Sequence, residues 1–322
     1  MRLVAFSTVR NEADVVEVFV RYHAPLLDRH VLVCHLSQDA SLELLRRLRD
    51  EGLPLEVREI SDAVFRQAVV ATGLMKELAA QEPGAWILPL DADEFVVGGD
   101  LRAVLDALPR DRPASLPWRT YVPTPQDDET ERHLLRRVRM RREPEVPQQH
   151  KVFVASELAL QKSVRLSIGA HKLLEGRRGD MIEPVPAGPL ALAHFPVRSD
   201  AQFRTKVLAN WPGIRAQGVL RPSQARQLHV RFADFATAEP LGPERIQEIA
   251  LAYPDRDAAP EVALVEDPVQ SDVELRYAAE AVPPSPLLAV AEMADALAGE
   301  VLRLSRRGLR SRLRLRLRLR HR

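Results

Sequence analysis

The stretch Trp86-Ile87-Leu88-Pro89-Leu90-Asp91-Ala92-Asp93-Glu94-Phe95 decides how this chain is read. Five largely apolar residues give a short strand pattern that runs straight into two carboxylates one residue apart, so the acidic pair is expected on the turn ending that strand. Pro89 cannot donate to a sheet ladder, which suits a strand end or an edge. What precedes the stretch gives it weight. Strand patterns are expected over 3–8, 31–36 and 54–60. Between the first two, Val15, Val16, Phe19 and Val20 recur at helical spacing within 12–24, with Asn11 as the expected N-cap and Pro25 as the stop. Helices are also expected over 41–51, ended by Gly52, and over about 65–80. Strands and helices alternating in this rhythm predict βαβ units and a mostly parallel sheet, with 86–90 as strand four.

Beyond residue 108 the rhythm breaks, with prolines at 109, 113, 117, 123, 125, 144 and 147. Helical patterns return near 199–218 and 243–252, a Pro- and acid-rich connection spans about 253–286, and a last helix is expected over about 287–304. Hydrophobic residues at 46% and charged residues at 28% describe a globule, and no run approaches the ~20 apolar residues of a spanning helix. The single cysteine, Cys34, lies in an apolar strand pattern, which rules out an intramolecular disulfide and fits a reducing, cytoplasmic setting.

The formal net charge of +1 hides an asymmetry: residues 301–322 hold ten arginines and no acid, leaving 36 basic and 45 acidic side chains elsewhere, a body of about −9. From Arg310 to Arg320, arginine and leucine alternate almost strictly, a period of two that would give a strand one charged and one apolar face. Such a tail could rest on an anionic membrane surface, making the protein peripheral at the inner face; with no aromatic residue to stack bases, nucleic acid is disfavoured.

In open α/β sheets ligands lie at the carboxyl ends of strands, where Asp91 and Asp93 are expected. Two carboxylates so spaced can share a hard cation that bridges a diphosphate. Thr8, Arg10, Asn11 and Glu12 after strand one, and Asp39 after strand two, are placed to contact a nucleotide; the bland alternative is loop and helix capping.

These residues carry a resemblance. Val9-Arg10-Asn11-Glu12, Ser37-x-Asp39-x-Ser41 and the 86–95 stretch resemble landmarks of family 2 glycosyltransferases, in the branch related to family 92 with a D-x-D-E-F motif; Lys151-Val152-Phe153-Val154, His171-Lys172-Leu173 and His194-Phe195-Pro196 look like the same branch. The resemblance covers roughly 1–210. It implies a GT-A, Rossmann-like sheet flanked by helices, with 1–106 as the nucleotide-binding half and 107–240 as the acceptor half. A helical extension and linker at 241–304 and the basic tail at 305–322 follow. It further implies metal-dependent, inverting transfer from a nucleoside-diphosphate sugar to a glycan or lipid-linked acceptor. The implied metal is Mn2+ or Mg2+ on Asp91, Asp93 and His194, with His171 competing for the last place. From their own position after His194, Arg198, Arg204 and Lys206 are candidates to meet diphosphate or acceptor charge, the bland alternative being a solvated helix face. The glycine expected beside Asp39 is Ala40, and no base is assigned among Asp127, Asp128, Glu157 and Asp180. The alternatives are a nucleotidyltransferase, disfavoured because 7–12 contains no glycine, and an inactive binding protein docked by its tail.

Overall fold

The computed structural model describes residues 1–62, 65–216, 235, 239–254, 261–280, 282 and 285–319. Side-chain alternation along the strands dictates the layers. In β1 (Leu3–Val9), Leu3 and Ala5 enter one core and Val4 and Phe6 the other. In β2 (Arg29–His35), Leu32 and Cys34 join the first and Val31 and Val33 the second; in β4 (Trp86–Pro89), Trp86 and Leu88 part from Ile87 in the same way. A sheet apolar on both faces must be covered on both. Helices α1 (Val16–His23) and α2 (Ser41–Asp50) cover one face, while α3 (Gln67–Gln81) covers the other with Ala71, Leu74, Met75, Leu78 and Ala79.

With β3 (Leu55–Ile60), this half is parallel in the order β3-β2-β1-β4. The sheet then continues with β8 (His150–Ala155), β6 (Ala114–Thr120), β13 (Ala191–His194) and β5 (Glu94–Val97). β8 is antiparallel to both β4 and β6, β13 is parallel to β6, and β5 closes the far edge antiparallel to β13. β12 (Val185–Pro186) pairs with β6. The fold is therefore a mixed, mostly parallel α/β sheet flanked by helices, and in passing from β4 to β5 the chain crosses at Asp91–Asp93 from mid-sheet to the far edge.

Smaller elements surround this sheet. α4 (Leu101–Asp106) is capped by the Asp100 carboxylate, and α5 (Leu134–Arg137) and α6 (Ser156–Ala159) are single turns. β9 (Arg165–Leu166), β10 (Leu173–Glu175) and β11 (Asp180–Met181) form a small sheet; β7 (Met140–Glu143) pairs with β14 (Ala263–Glu266). α7 (Asp200–Ala216) and α8 (Pro243–Leu251) build a third apolar cluster through Phe203, Val207, Ile246 and Ile249. α9 (Pro286–Leu319) packs on α7.

Three expectations change. α1 begins at Val16 with no side-chain cap, because Asn11 adopts a left-handed φ of 56° and spends its side chain on Gln38, accepting from the Gln38 amide at 2.7 Å and donating to its side chain at 3.2 Å. The Arg-Leu tail is helical rather than extended, the backbone of α9 running without a break to Leu319. Residues 217 and 218 of the expected 199–218 helix lie outside the described residues.

The acid-rich connection proves to be a strap. Asp267 accepts from the Tyr121 hydroxyl at 2.5 Å, and Val273 lies 3.0 Å from His133 Nε2. Farther on, the amides of Arg276 and Tyr277 donate to Glu17 at 2.8 and 2.9 Å.

Candidate functional site

Strand direction gathers the site. β1, β4, β6 and β13 run one way and β8 and β5 the other, so the ends of β1, β4 and β13 and the starts of β8 and β5 share one edge. That edge brings together Thr8, Arg10, Asp91, Asp93, Glu94, Lys151 and His194. The amide of Phe195 donates to the Asp93 carbonyl at 2.8 Å and pins the triplet to the end of β13.

Each aspartate of the triplet has its own cation. Lys151 Nζ donates to Asp91 Oδ2 at 2.5 Å and also to Glu94, which accepts from Trp118 Nε1 and the Asp91 amide, each at 2.9 Å. Burial pushes the Glu94 carboxyl well up, against the pull of Lys151. Lys206, from α7, donates to Asp93 Oδ2 at 3.0 Å, and Arg198 stands 3.8 Å away. Burial alone would raise Asp93; Lys206, His194 and Arg198 more than offset it and hold the carboxyl below its ordinary range. His194 stacks on Trp118 with ring centroids 3.9 Å apart, and burial lowers its imidazole to about 3. Its Nε2 lies 3.9 Å from Asp93 Oδ1, while Nδ1 is buried without a partner among the described residues. His171 meets the edge of Trp118 at 5.0 Å with Nδ1 2.8 Å from the His150 carbonyl.

The loop after β1 is held by the loop after β2. The amides of Asn11, Glu12 and Ala13 donate to Ser37 Oγ, Ser41 Oγ and Asp39 Oδ2 at 3.1, 2.8 and 2.9 Å, and the Ser41 amide fills Asp39 Oδ1 at 2.9 Å. Asp39 is thus occupied as a clamp rather than free to meet a base or ribose, and the amides expected at a phosphate are already engaged. Glu12, pushed up to about 7 by burial, accepts from Arg198. Arg198 Nε and NH2 also reach the two oxygens of Asp14 at 2.7 and 2.8 Å. Arg204 is likewise structural, bound to Asp200 and to the carbonyls of Phe235 and Glu239. What remains toward the crevice is Arg10. Its NH1 donates to Asn210 Oδ1 at 3.2 Å, one turn beyond Lys206 on α7, but Nε and NH2 are buried without partners among the described residues, and burial lowers the group to about 10. On the same edge, Thr8, Asp91, Lys151, Gly169 and Ala170 line a hollow.

The structure does not gather Asp91, Asp93 and His194 as a metal-ligand trio. Asp91 turns to Lys151 and Asp93 to Lys206, and among the described residues no three of His, Cys, Asp and Glu converge. As arranged, the donor set does not fit a divalent cation. The candidate bases are also dispersed. Glu157 pairs with Arg110 and follows β8, hence lies at the opposite edge, beside the start of β4. Asp128 is spent on the Thr130 amide and hydroxyl, Asp127 on Thr124, and Asp180 is exposed on the small sheet. Lys151 and Trp118 were missed as site residues; a lysine opening the buried strand Lys151-Val152-Phe153-Val154 was the available signal.

No protein-family model matches the chain, and no curated protein matches it. Among solved structures, the mannosyltransferase PcManGT from Pyrobaculum calidifontis in complex with GDP-Man and Mn2+ is similar over 39% of this chain and 36% of its own, at 19% identity and a TM-score of 0.27. Mannose-6-phosphate isomerase from Helicobacter pylori is similar over 39% of this chain and 57% of its own, at 12% identity and a TM-score of 0.27. The chain thus spans less than two thirds of either protein, and likenesses this slight carry no argument about its activity.

Proposed function

We propose that this chain transfers a glycosyl group from a nucleoside-diphosphate sugar to an acceptor hydroxyl. The observation that carries the reading is the pair of neighbouring strand ends that carry Arg10 and Asp91: the order β3-β2-β1-β4 changes sides between β1 and β4, and two buried guanidinium donors of Arg10 have no protein acceptor among the described residues. Crevices at such switch points bind nucleotides, and a guanidinium whose N–H groups lack partners is suited to phosphate oxygens.

In the proposed reaction the acceptor oxygen bonds to the anomeric carbon as the bond from that carbon to the diphosphate oxygen breaks. The electron pair leaves on the diphosphate, and the acceptor proton passes to a carboxylate not yet assigned. Displacement of this kind inverts the anomeric centre. Arg10 and Lys206 offset charge growing on the leaving group, a role in which fixed cations act strongly because they need no reorganisation. In this reading residues 1–106 hold the donor, 107–240 shape a site for a glycan or lipid-linked acceptor, and the basic tail docks on anionic lipid. Among the described residues no helix is long and apolar enough to cross a membrane.

Calorimetry with UDP and GDP, followed by release of nucleoside diphosphate from a panel of UDP- and GDP-sugars, tests the proposal. Binding of one nucleotide with slow hydrolysis of its sugar is expected. Neither binding nor hydrolysis, with or without Mn2+, would refute it.

A further inference from the structure

We propose that the donor's diphosphate is held directly by Lys206 and Arg10, with no bridging divalent cation, and that the Asp91–Asp93 pair serves to anchor lysines. The inference rests on the donor reading above and deepens it. A cation site needs carboxylate charge to spare, and here each aspartate is already matched: Asp91 by Lys151 at 2.5 Å, Asp93 by Lys206 at 3.0 Å with Arg198 at 3.8 Å. A divalent ion between Asp93 and His194 would stand within a few ångströms of two fixed positive charges, a repulsion that costs several kilocalories per mole even in a well-screened site.

Composition adds an independent argument. Of the 46 basic side chains, 41 are arginine and five are lysine, at positions 76, 151, 162, 172 and 206. Both cations hydrogen-bonded to the triplet's carboxylates are among those five. An ammonium is a compact point charge with three donors on a flexible stem, able to contact a carboxylate and a phosphate oxygen together, whereas a guanidinium's planar fork is committed by one carboxylate. Lys206 has the exposure for this double duty: its side chain is 26% exposed against 5% for Asp93. It projects from the same face of α7 as Asn210, which holds Arg10, so ammonium and guanidinium stand on the same side of that helix.

The test is calorimetry of the full-length chain with UDP and with GDP, in excess EDTA and in excess MnCl2. The proposal expects the preferred nucleotide to bind equally in both, within about threefold. Lys206→Met should weaken binding in EDTA by about 10- to 100-fold, the worth of a charge-assisted hydrogen bond, and should also lower the melting temperature, because Asp93 keeps only Arg198 at 3.8 Å as a nearby cation. Lys206→Arg should recover only part of the loss, because a guanidinium committed to Asp93 restores the charge without the second contact. Binding lost in EDTA and restored by MnCl2 overturns this inference and leaves the donor reading intact; binding in neither overturns both. Should Lys206→Met fail to fold, the EDTA comparison on the wild-type chain decides alone.

Discussion

Arg198 ties together pieces of chain more than 180 residues apart, and its removal gives the sharpest stability prediction. The guanidinium is fully buried; it makes a two-pronged bond to Asp14 and a third bond to Glu12, whose side chains are 10% and 13% exposed. Arg198→Met keeps much of the volume and removes the charge. Breaking a buried ion pair from one side costs about 3–5 kcal/mol, because the partner is left desolvated and alone. Glu12 escapes part of this, since burial already pushes it up to about 7 and it can take a proton. The loss therefore falls on Asp14, and the lower end of the range, about 3 kcal/mol, applies. At about 2–4 °C per kcal/mol, the melting temperature should fall by about 6–12 °C. Urea titrations of wild type, Arg198→Met, Asp14→Asn and the double variant give the coupling, expected to exceed about 1.5 kcal/mol. Arg198→Met costing under about 1 kcal/mol, or strict additivity in the cycle, would refute the claim that this pair fastens the loop after β1 to the end of β13.

Acid should unfold the protein through histidines buried without charge. Burial lowers His23 to about 4 and His30 well below its ordinary value. Both groups are depressed, so their stability is present above about pH 6.5 and is lost as pH falls toward the folded values, by up to about 1.4 kcal/mol per pH unit for each. Urea midpoints between pH 7 and 5 should show this slope, and His23→Gln should flatten it by one proton's worth; an unchanged slope would contradict the assignment. Gly98 has φ +98°, and a Cβ there would lie 2.1 Å from the Pro189 carbonyl oxygen. Gly98→Ala should therefore cost at least about 2 kcal/mol in thermal denaturation, and a neutral result would mean that the β5 turn is misjudged. Deleting residues 306–322 removes nine arginines and should release the protein from phosphatidylserine vesicles at physiological salt, while retained co-sedimentation would dismiss lipid docking by the tail.

The parallel half was legible because local pattern and tertiary demand agree there. β1, β2 and β4 are apolar on both faces, each helix has one apolar side, and Asp91 follows where β4 must end. The mixed half was not, because its pairing is non-local: β5 leaves β4 for a strand nearly a hundred residues later, and Leu192 pairs with Val96 through no signal that spacing could carry. Within the site, the sequence pointed to Arg10, Asp91, Asp93 and His194, which do share one edge. It could not show that Asp39 spends both oxygens on backbone amides, nor that Lys151 and Lys206 reach the triplet. Those facts depend on rotamers and on loops meeting across the sheet. Asn11 was a plausible cap by residue type, but its side chain went to Gln38, a competitor that only the folded loop supplies.

The strap at 267–280 has a consequence for how the molecule is made. Glu17 in α1 is a buried carboxylate whose partners are Arg21 and the amides of Arg276 and Tyr277, and Glu51, just past α2, accepts from the Tyr277 hydroxyl at 2.7 Å as well as from Arg21. A ribosome that has delivered the whole parallel half has therefore not delivered the groups that satisfy its first helix. The opening hundred residues reach their full hydrogen bonding only when the last quarter of the chain emerges, so a nascent or truncated chain ending before residue 276 carries an unfinished amino-terminal half.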